Sequence, residues 1–212
     1  MARIDDFKQA KELAKQELLK YDPDFIAERS KAEVINKNDE TRALSITFLN
    51  RNIKITWPEL EFSDDSSDGD VHLQQQGLIL HYLNGICSLK NHGIAEEWVS
   101  FQDIPEGMFY MDAFIKRAKI PLVQTFGNNA AKMVEIAKKA YKAEDIDFGD
   151  HSALVKALPF VPVVLVLWEG DDEFPPEGNL LFDKSISDIL SAEDIAALAG
   201  MVVYPMIGMA YK

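Results

Sequence analysis

Residues 160–168 read Phe-Val-Pro-Val-Val-Leu-Val-Leu-Trp, and residues 169–178 continue Glu-Gly-Asp-Asp-Glu-Phe-Pro-Pro-Glu-Gly. Nine consecutive apolar residues are short for a helix and rich in β-branched side chains, so the run is expected to be a central strand. Pro162 must then lie near its beginning, where a missing N–H is tolerated. The run ends in a turn that carries five carboxylates within nine residues, Glu169 to Glu177. Strand ends are common places for functional side chains on a rigid support.

Working outward, Asn179–Phe182 reads as a short strand after the turn, and a C-terminal helix follows. Ser191, with Glu193 and Asp194 in the next turn, is its expected N-cap. Ile195 to Tyr211 is uncharged for seventeen residues. Spanning a bilayer takes ~20 predominantly apolar residues, and Gly200, Pro205 and Gly208 dilute this stretch. A buried helix, kinked or ended near Pro205, is expected. Before the apolar run lie a polar segment, Glu144–Asp150, and Leu154–Leu158. Earlier still, Met108–Lys119 and Leu122–Lys142 read as two helices divided by Pro121.

The first third opens with an amphipathic helix over residues 4–21, with Ile4, Phe7, Ala10, Ala14, Leu18 and Tyr21 on one stripe. Asp22-Pro23 ends it, and Asp24 is placed to cap a second helix reaching Val34. The period then changes to two: Leu44, Ile46 and Phe48, then Ile53, Ile55 and Trp57, form a hairpin across Asn50-Arg51-Asn52. Val71–Leu83 is expected to be a helix, followed by a Gly/Asn-rich loop and a short strand at Trp98–Phe101. Helices and strands do not alternate regularly. The expected fold class is therefore α+β, a mixed or antiparallel sheet with several packed helices, in a single domain over residues 1–212.

Twenty-two basic against thirty-five acidic residues give a net charge of −13. Binding to phosphate backbones or anionic membranes relies on neutralising Lys and Arg, so neither nucleic acid nor membrane is an expected partner. Cys87 is the one cysteine, which excludes an internal disulfide and fits a reducing interior. Met1–Asp6 lacks an apolar run after a basic start, so no signal peptide is read there and the cytoplasm is the expected location.

Several constellations bear on chemistry. Carboxylates converging at 169–177 would favour Mg²⁺ or Ca²⁺ and raise one another's pKa, with Asp172 and Glu173 as metal ligands; the competing reading is a solvated turn. Asp64–Val71 resembles a calcium loop, but its twelfth position is Gln75 and a strand ends near Phe62, so a solvated linker is expected. His81, beside Tyr82 on an apolar helix, is either a hydrogen-bonded core residue or a ligand-binding one. His72 is out of phase with it, and His92 belongs to a loop. His151 follows Asp150, but no Gly-x-Ser-x-Gly elbow supplies a nucleophile. Lys116, Arg117, Lys119, Lys132, Lys138, Lys139 and Lys142 make the middle third basic, a pattern usual for solvated faces.

Five segments carry a resemblance: Leu78-Ile79-Leu80-His81-Tyr82-Leu83, Trp98-Val99-Ser100-Phe101, Gly107–Gly127 with Phe109-Tyr110, Phe114 and Phe126-Gly127, Leu158-Pro159, and Trp168–Asp183. Together they resemble a domain-of-unknown-function family of anaerobic bacteria and archaea, some of whose members carry an adjacent iron–sulfur module. With Cys87 alone, this chain resembles the stand-alone form. The resemblance implies a setting in anaerobic metabolism near corrinoid or iron–sulfur enzymes, and supplies no activity, substrate or catalytic residue. The expected function is a cytosolic ligand-binding or accessory protein with a small-molecule or protein partner. Its pocket would gather His81, Tyr82, Trp168, Asp171, Asp172 and Glu173. The alternatives are a metal-dependent enzyme using the acidic turn, and a structural interaction module.

Overall fold

A computed structural model describes residues 4–38, 41–66 and 70–212. The chain is α+β, with two antiparallel four-stranded sheets. It divides into two compact units: residues 1–92 with 188–190, and residues 93–187 with 191–212.

The first unit begins with α1 (Ile4–Leu18) and α2 (Pro23–Ser30). Asp22, rather than Asp24, caps α2: its carboxylate accepts the Asp24 N–H at 2.9 Å, and Pro23 takes the first helical position, where no N–H is needed. The helix stops at Lys31, which is left-handed at φ 58°. Instead of continuing to Val34, the chain turns into strand β1 (Glu33–Asn38), pairing Val34 with Leu44 and Ile35 with Ala43. Strands β2 (Thr41–Phe48) and β3 (Arg51–Trp57) form the expected hairpin. Phe48 faces Arg51, so the connection is the two residues Leu49 and Asn50, both at positive φ, one step earlier than the spacing indicates. Strand β4 (Phe62–Asp64) completes the sheet, and α3 runs from Leu73 to Ser88, five residues beyond its expected end at Leu83.

In the second unit, β5 (Trp98–Ser100) precedes α4 (Gly107–Phe114). Pro121 does not divide the helix that follows. The backbone passes from α4 through a π-helical stretch, Ile115–Lys119, directly into α5 (Ile120–Phe126). There the Ile120 N–H reaches back to the Ile115 carbonyl, and Pro121 sits at the start of α5, where its missing N–H is absorbed. The break comes at Gly127–Asn129, where Asn129 caps α6 (Ala130–Tyr141) by accepting the Lys132 N–H at 3.2 Å.

The apolar run is β7 (Val161–Trp168), lying between β6 (His151–Leu158) and β8 (Glu177–Asp183) in the order β5-β8-β7-β6. Val161 to Leu167 are all buried, so both faces of the strand are covered, which explains the absence of alternation. Pro162 is its second residue, as expected. After the single turn α7 (Ile186–Ile189), α8 spans Ala192–Ala210. Ser191 caps it through the Asp194 N–H at 3.2 Å, and Pro205 lies inside it without ending it. Among the described residues α8 alone is long and apolar enough to cross a membrane, by length and composition. Nine of its nineteen residues are buried.

Candidate functional site

The acidic turn is the loop of the β7–β8 hairpin. Trp168 pairs with Glu177 at its base, so residues 169–176 form the connection. Asp171 organises the loop. Its Oδ1 accepts the backbone N–H groups of Glu173 at 2.8 Å and Phe174 at 2.7 Å, while its own N–H donates to the Phe174 carbonyl at 2.9 Å. Hydrogen bonds from Phe174 and then Glu173 hold the Asp171 carboxyl below its ordinary pKa. This reverses the upward shift expected from crowded carboxylates: Asp171 is stabilised as an anion by backbone dipoles and serves the turn itself.

Beside the loop lies a cleft of about 460 Å³, lined by Gly127 and Asn128 from the end of α5 and by residues 169–176. A Cβ on Gly127 would stand 2.9 Å from the Pro176 ring, so the helix end and the loop approach as closely as glycine permits. Glu169, Asp172 and Glu173 contribute exposed carboxylates to this cleft. Trp168 is half-exposed at the base of the hairpin and does not line it.

A second arrangement adjoins it. His151 faces Leu167 across the β6–β7 ladder, so Glu169, two residues on, lies diagonally from it. The His151 Nε2 is 2.9 Å from the Glu169 Oε1. Glu169 is further held by its backbone N–H, which donates to the Asp150 Oδ2 at 2.8 Å, and the Asp150 N–H donates to the Leu167 carbonyl. The residue before, Gly149, is left-handed at φ 57°, and a Cβ there would lie 2.8 Å from Val166 Cγ1 and 3.0 Å from the Leu167 carbonyl oxygen. Only glycine lets the 144–150 segment reach the end of β7.

Among the described residues, no three His, Cys, Asp or Glu side chains gather where they could share a metal ion. The expected ligands Asp172 and Glu173 are adjacent in the loop, and Ca²⁺ or Mg²⁺ would need about six oxygen ligands. The calcium-like segment lies partly outside the described residues, at Ser67-Asp68-Gly69. Its first position, Asp64, is buried and paired with Arg51 Nη1 at 3.0 Å, and Gln75 accepts from Arg51 Nη2 at 3.0 Å. Both ends of that segment are therefore occupied by arginine.

His81 and Tyr82 belong to the first unit, Trp168 and the acidic loop to the second. His81 lines a groove of about 520 Å³ with residues of α1 and α3, Leu13 and Asn84 among them, and with Tyr21 between α1 and α2. Tyr82 is fully buried and its hydroxyl donates to the Ser30 carbonyl at 3.1 Å, so it offers a ligand no surface. Cys87 is also buried, and burial pushes its thiol up to about 11. It should react with an aromatic disulfide reagent at pH 8 only as fast as the chain unfolds; labelling at the rate of a free thiol in the absence of urea would contradict this.

The basic face is partly neutralised: Lys116 pairs with Asp112, Lys138 with Asp145, and Lys132 donates to the Ala210 carbonyl. Sequence reading missed the His151–Glu169 pair and the part played by Gly127 and Asn128. The Gly-Asn-Asn triplet at 127–129 carried a break signal, whereas the pair required the strand register. Neither the curated proteins nor the solved structures compared with the chain give a match. A family model described as Domain of unknown function (DUF3786) matches residues 22–205, and the chain belongs to that family.

Proposed function

We propose that the protein is a cytosolic ligand-binding or accessory protein of anaerobic metabolism, and that it holds a polar small molecule in the cleft at the end of β7. One observation carries this reading. Asp171 is consumed in shaping the loop and Glu169 meets His151, which leaves the carboxylates of Asp172 and Glu173 at a preformed concavity next to the exposed ring of Phe174. A pocket of this kind suits a ligand rich in hydrogen-bond donors or bearing positive charge. Corrinoids, with their peripheral amides, meet the first description and fit the metabolic setting implied by the family resemblance. The lone cysteine fits a reducing compartment.

Anaerobic titration of the purified protein with cobalamin, followed by absorbance, tests the reading. Binding should saturate, and the double variant Asp172→Asn/Glu173→Gln should weaken it by about tenfold or more, since a hydrogen bond to a charged group contributes roughly 1.5–3 kcal/mol. Equal affinity in the double variant would remove the cleft from the account.

A further inference from the structure

The C-terminal helix α8 presents a stripe that is open over its C-terminal half and half-buried at Ala197 and Met201, with the Tyr110 hydroxyl of the same unit donating to Glu193 at 3.4 Å. Glu193, Ala197, Met201, Tyr204, Gly208 and Tyr211 follow one another at spacings of four, four, three, four and three, which places them on one stripe of an α-helix. Eight of the nine buried residues lie away from this stripe, and the ninth, Gly200, borders it and packs against Arg117. On the stripe, Tyr204 is 55% exposed and Tyr211 is 78% exposed. A Cβ on Gly208 would meet nothing within 4 Å.

The charge pattern indicates what covers this face. The chain carries −13, yet residues 195–211 carry no charge at all, so two copies can meet there without opposing like charges. The ends of the stripe are complementary to each other: Glu193 stands in the first turn, and Lys212 follows the last. At that basic end Lys132 also holds the Ala210 carbonyl at 2.9 Å. We infer that a second copy of this chain docks on the stripe, with the two α8 helices antiparallel about a two-fold axis between Val202 and Val203.

This register pairs the stripe with itself from Ala197 to Gly208, and sets Tyr211 against the partner's Asp194, which lies beside the stripe. An axis at that position sets Glu193 against the partner's Lys212, Ala197 against the partner's Gly208, and Met201 against the partner's Tyr204. Opposite charges meet at both ends, small residues face each other where the backbones must approach, and a flexible thioether packs on an aromatic ring at the centre. Antiparallel helices also set their dipoles against each other favourably. The contact is isologous, so it closes at two copies, and its exposed tyrosines are of the type enriched in interfaces. The inference is independent of the cleft at the end of β7.

Analytical ultracentrifugation of the full chain over a wide concentration range tests the association. The expected result is a monomer–dimer equilibrium, weakened at least about tenfold by Tyr204→Asp with unchanged circular dichroism. Glu193→Lys should weaken it as well, and adding Lys212→Glu to the same chain should restore it, which a mere loss of helix stability would not do.

Register is tested by mixing the single variants Ala197→Cys and Gly208→Cys under mild oxidation. A disulfide needs Cα atoms about 4.4–6.8 Å apart, so the mixture should cross-link and neither variant should do so alone. The buried Cys87 thiol does not compete. A monomer at every concentration, a dimer indifferent to Tyr204→Asp, or a dimer without mixed cross-links would overturn the inference. So would binding of the monomer to phosphatidylcholine vesicles through the same tyrosines.

Discussion

Replacing Asp183 with alanine should cost the second unit about 3 kcal/mol of stability, read from urea unfolding at neutral pH. Asp183 ends β8 with none of its surface exposed. Its carboxylate accepts the N–H of Ala95 at 2.9 Å, of Glu96 at 2.7 Å and of Ser185 at 3.0 Å, together with the Ser185 hydroxyl. These contacts tie residues 95–96, including the left-handed Glu96, to the end of the sheet. Alanine would orphan three N–H donors together. Asparagine keeps the shape but turns an NH₂ towards one of them, so Asp183→Asn should cost about half as much.

The pH dependence has a definite sign. Burial alone would raise the Asp183 pKa; the Ser185 hydroxyl and the N–H groups of Ala95, Ser185 and Glu96 outweigh it, and the net shift is downward. A carboxyl lowered in the folded state stabilises the fold above its unfolded value of about 3.9. That contribution is lost as the pH falls through the folded value. The wild type should therefore lose stability below about pH 4, and Asp183→Ala should lose less over the same window. Parallel acid profiles for the two proteins would contradict the assignment.

Gly149→Val should destabilise the same unit by about 2–4 kcal/mol, because a β-branched residue is a severe outlier at positive φ and its Cβ would strike atoms that cannot yield. At φ 57° the Cβ would lie 3.0 Å from the Leu167 carbonyl oxygen and 3.1 Å from the Trp168 ring. Displacing residue 149 also moves Asp150, which holds the Glu169 N–H, so the damage should spread to the cleft. Trp168 gives an optical readout: its emission should shift in the variant under native conditions. A native-like spectrum with a stability loss below about 1 kcal/mol would show that the 144–150 segment does not bear on the strand end.

Much of the fold was legible because single residues decided it. The apolar run, short for a helix and rich in β-branched residues, marked a central strand, and Ser191 with its two acidic followers marked a helix start. Other elements were hidden for physical reasons. Strand β1 has two β-branched residues, Val34 and Ile35, among polar ones, and is specified by its pairing with β2 rather than by its own pattern. The break at Gly127–Asn129 escaped notice because Leu122, Phe126, Ala130, Met133 and Ala137 keep helical phase across it. Pro121 misled in the opposite direction, since periodicity does not register a π-helical turn.

The acidic turn was legible as the sequel of β7, while the lowered pKa of Asp171 ran against the upward shift expected of crowded carboxylates. Its position after β7 and its carboxylate count stood in the sequence, but the backbone hydrogen bonds that commit Asp171 to the turn depend on loop geometry. Likewise, His151 and Glu169 are eighteen residues apart and meet only through the β6–β7 register. The buried role of Asp183 gave no composition signal at all, although Ser185 two residues on is the usual partner of such a turn.

The most direct test of the central claim is native mass spectrometry of the full chain purified from an anaerobic host, with the Asp172→Asn/Glu173→Gln variant prepared in parallel. The expected spectrum shows a small-molecule adduct on the wild type that is depleted in the double variant. A bare wild-type mass, or an adduct retained undiminished by the variant, would contradict a ligand site in the cleft at the end of β7.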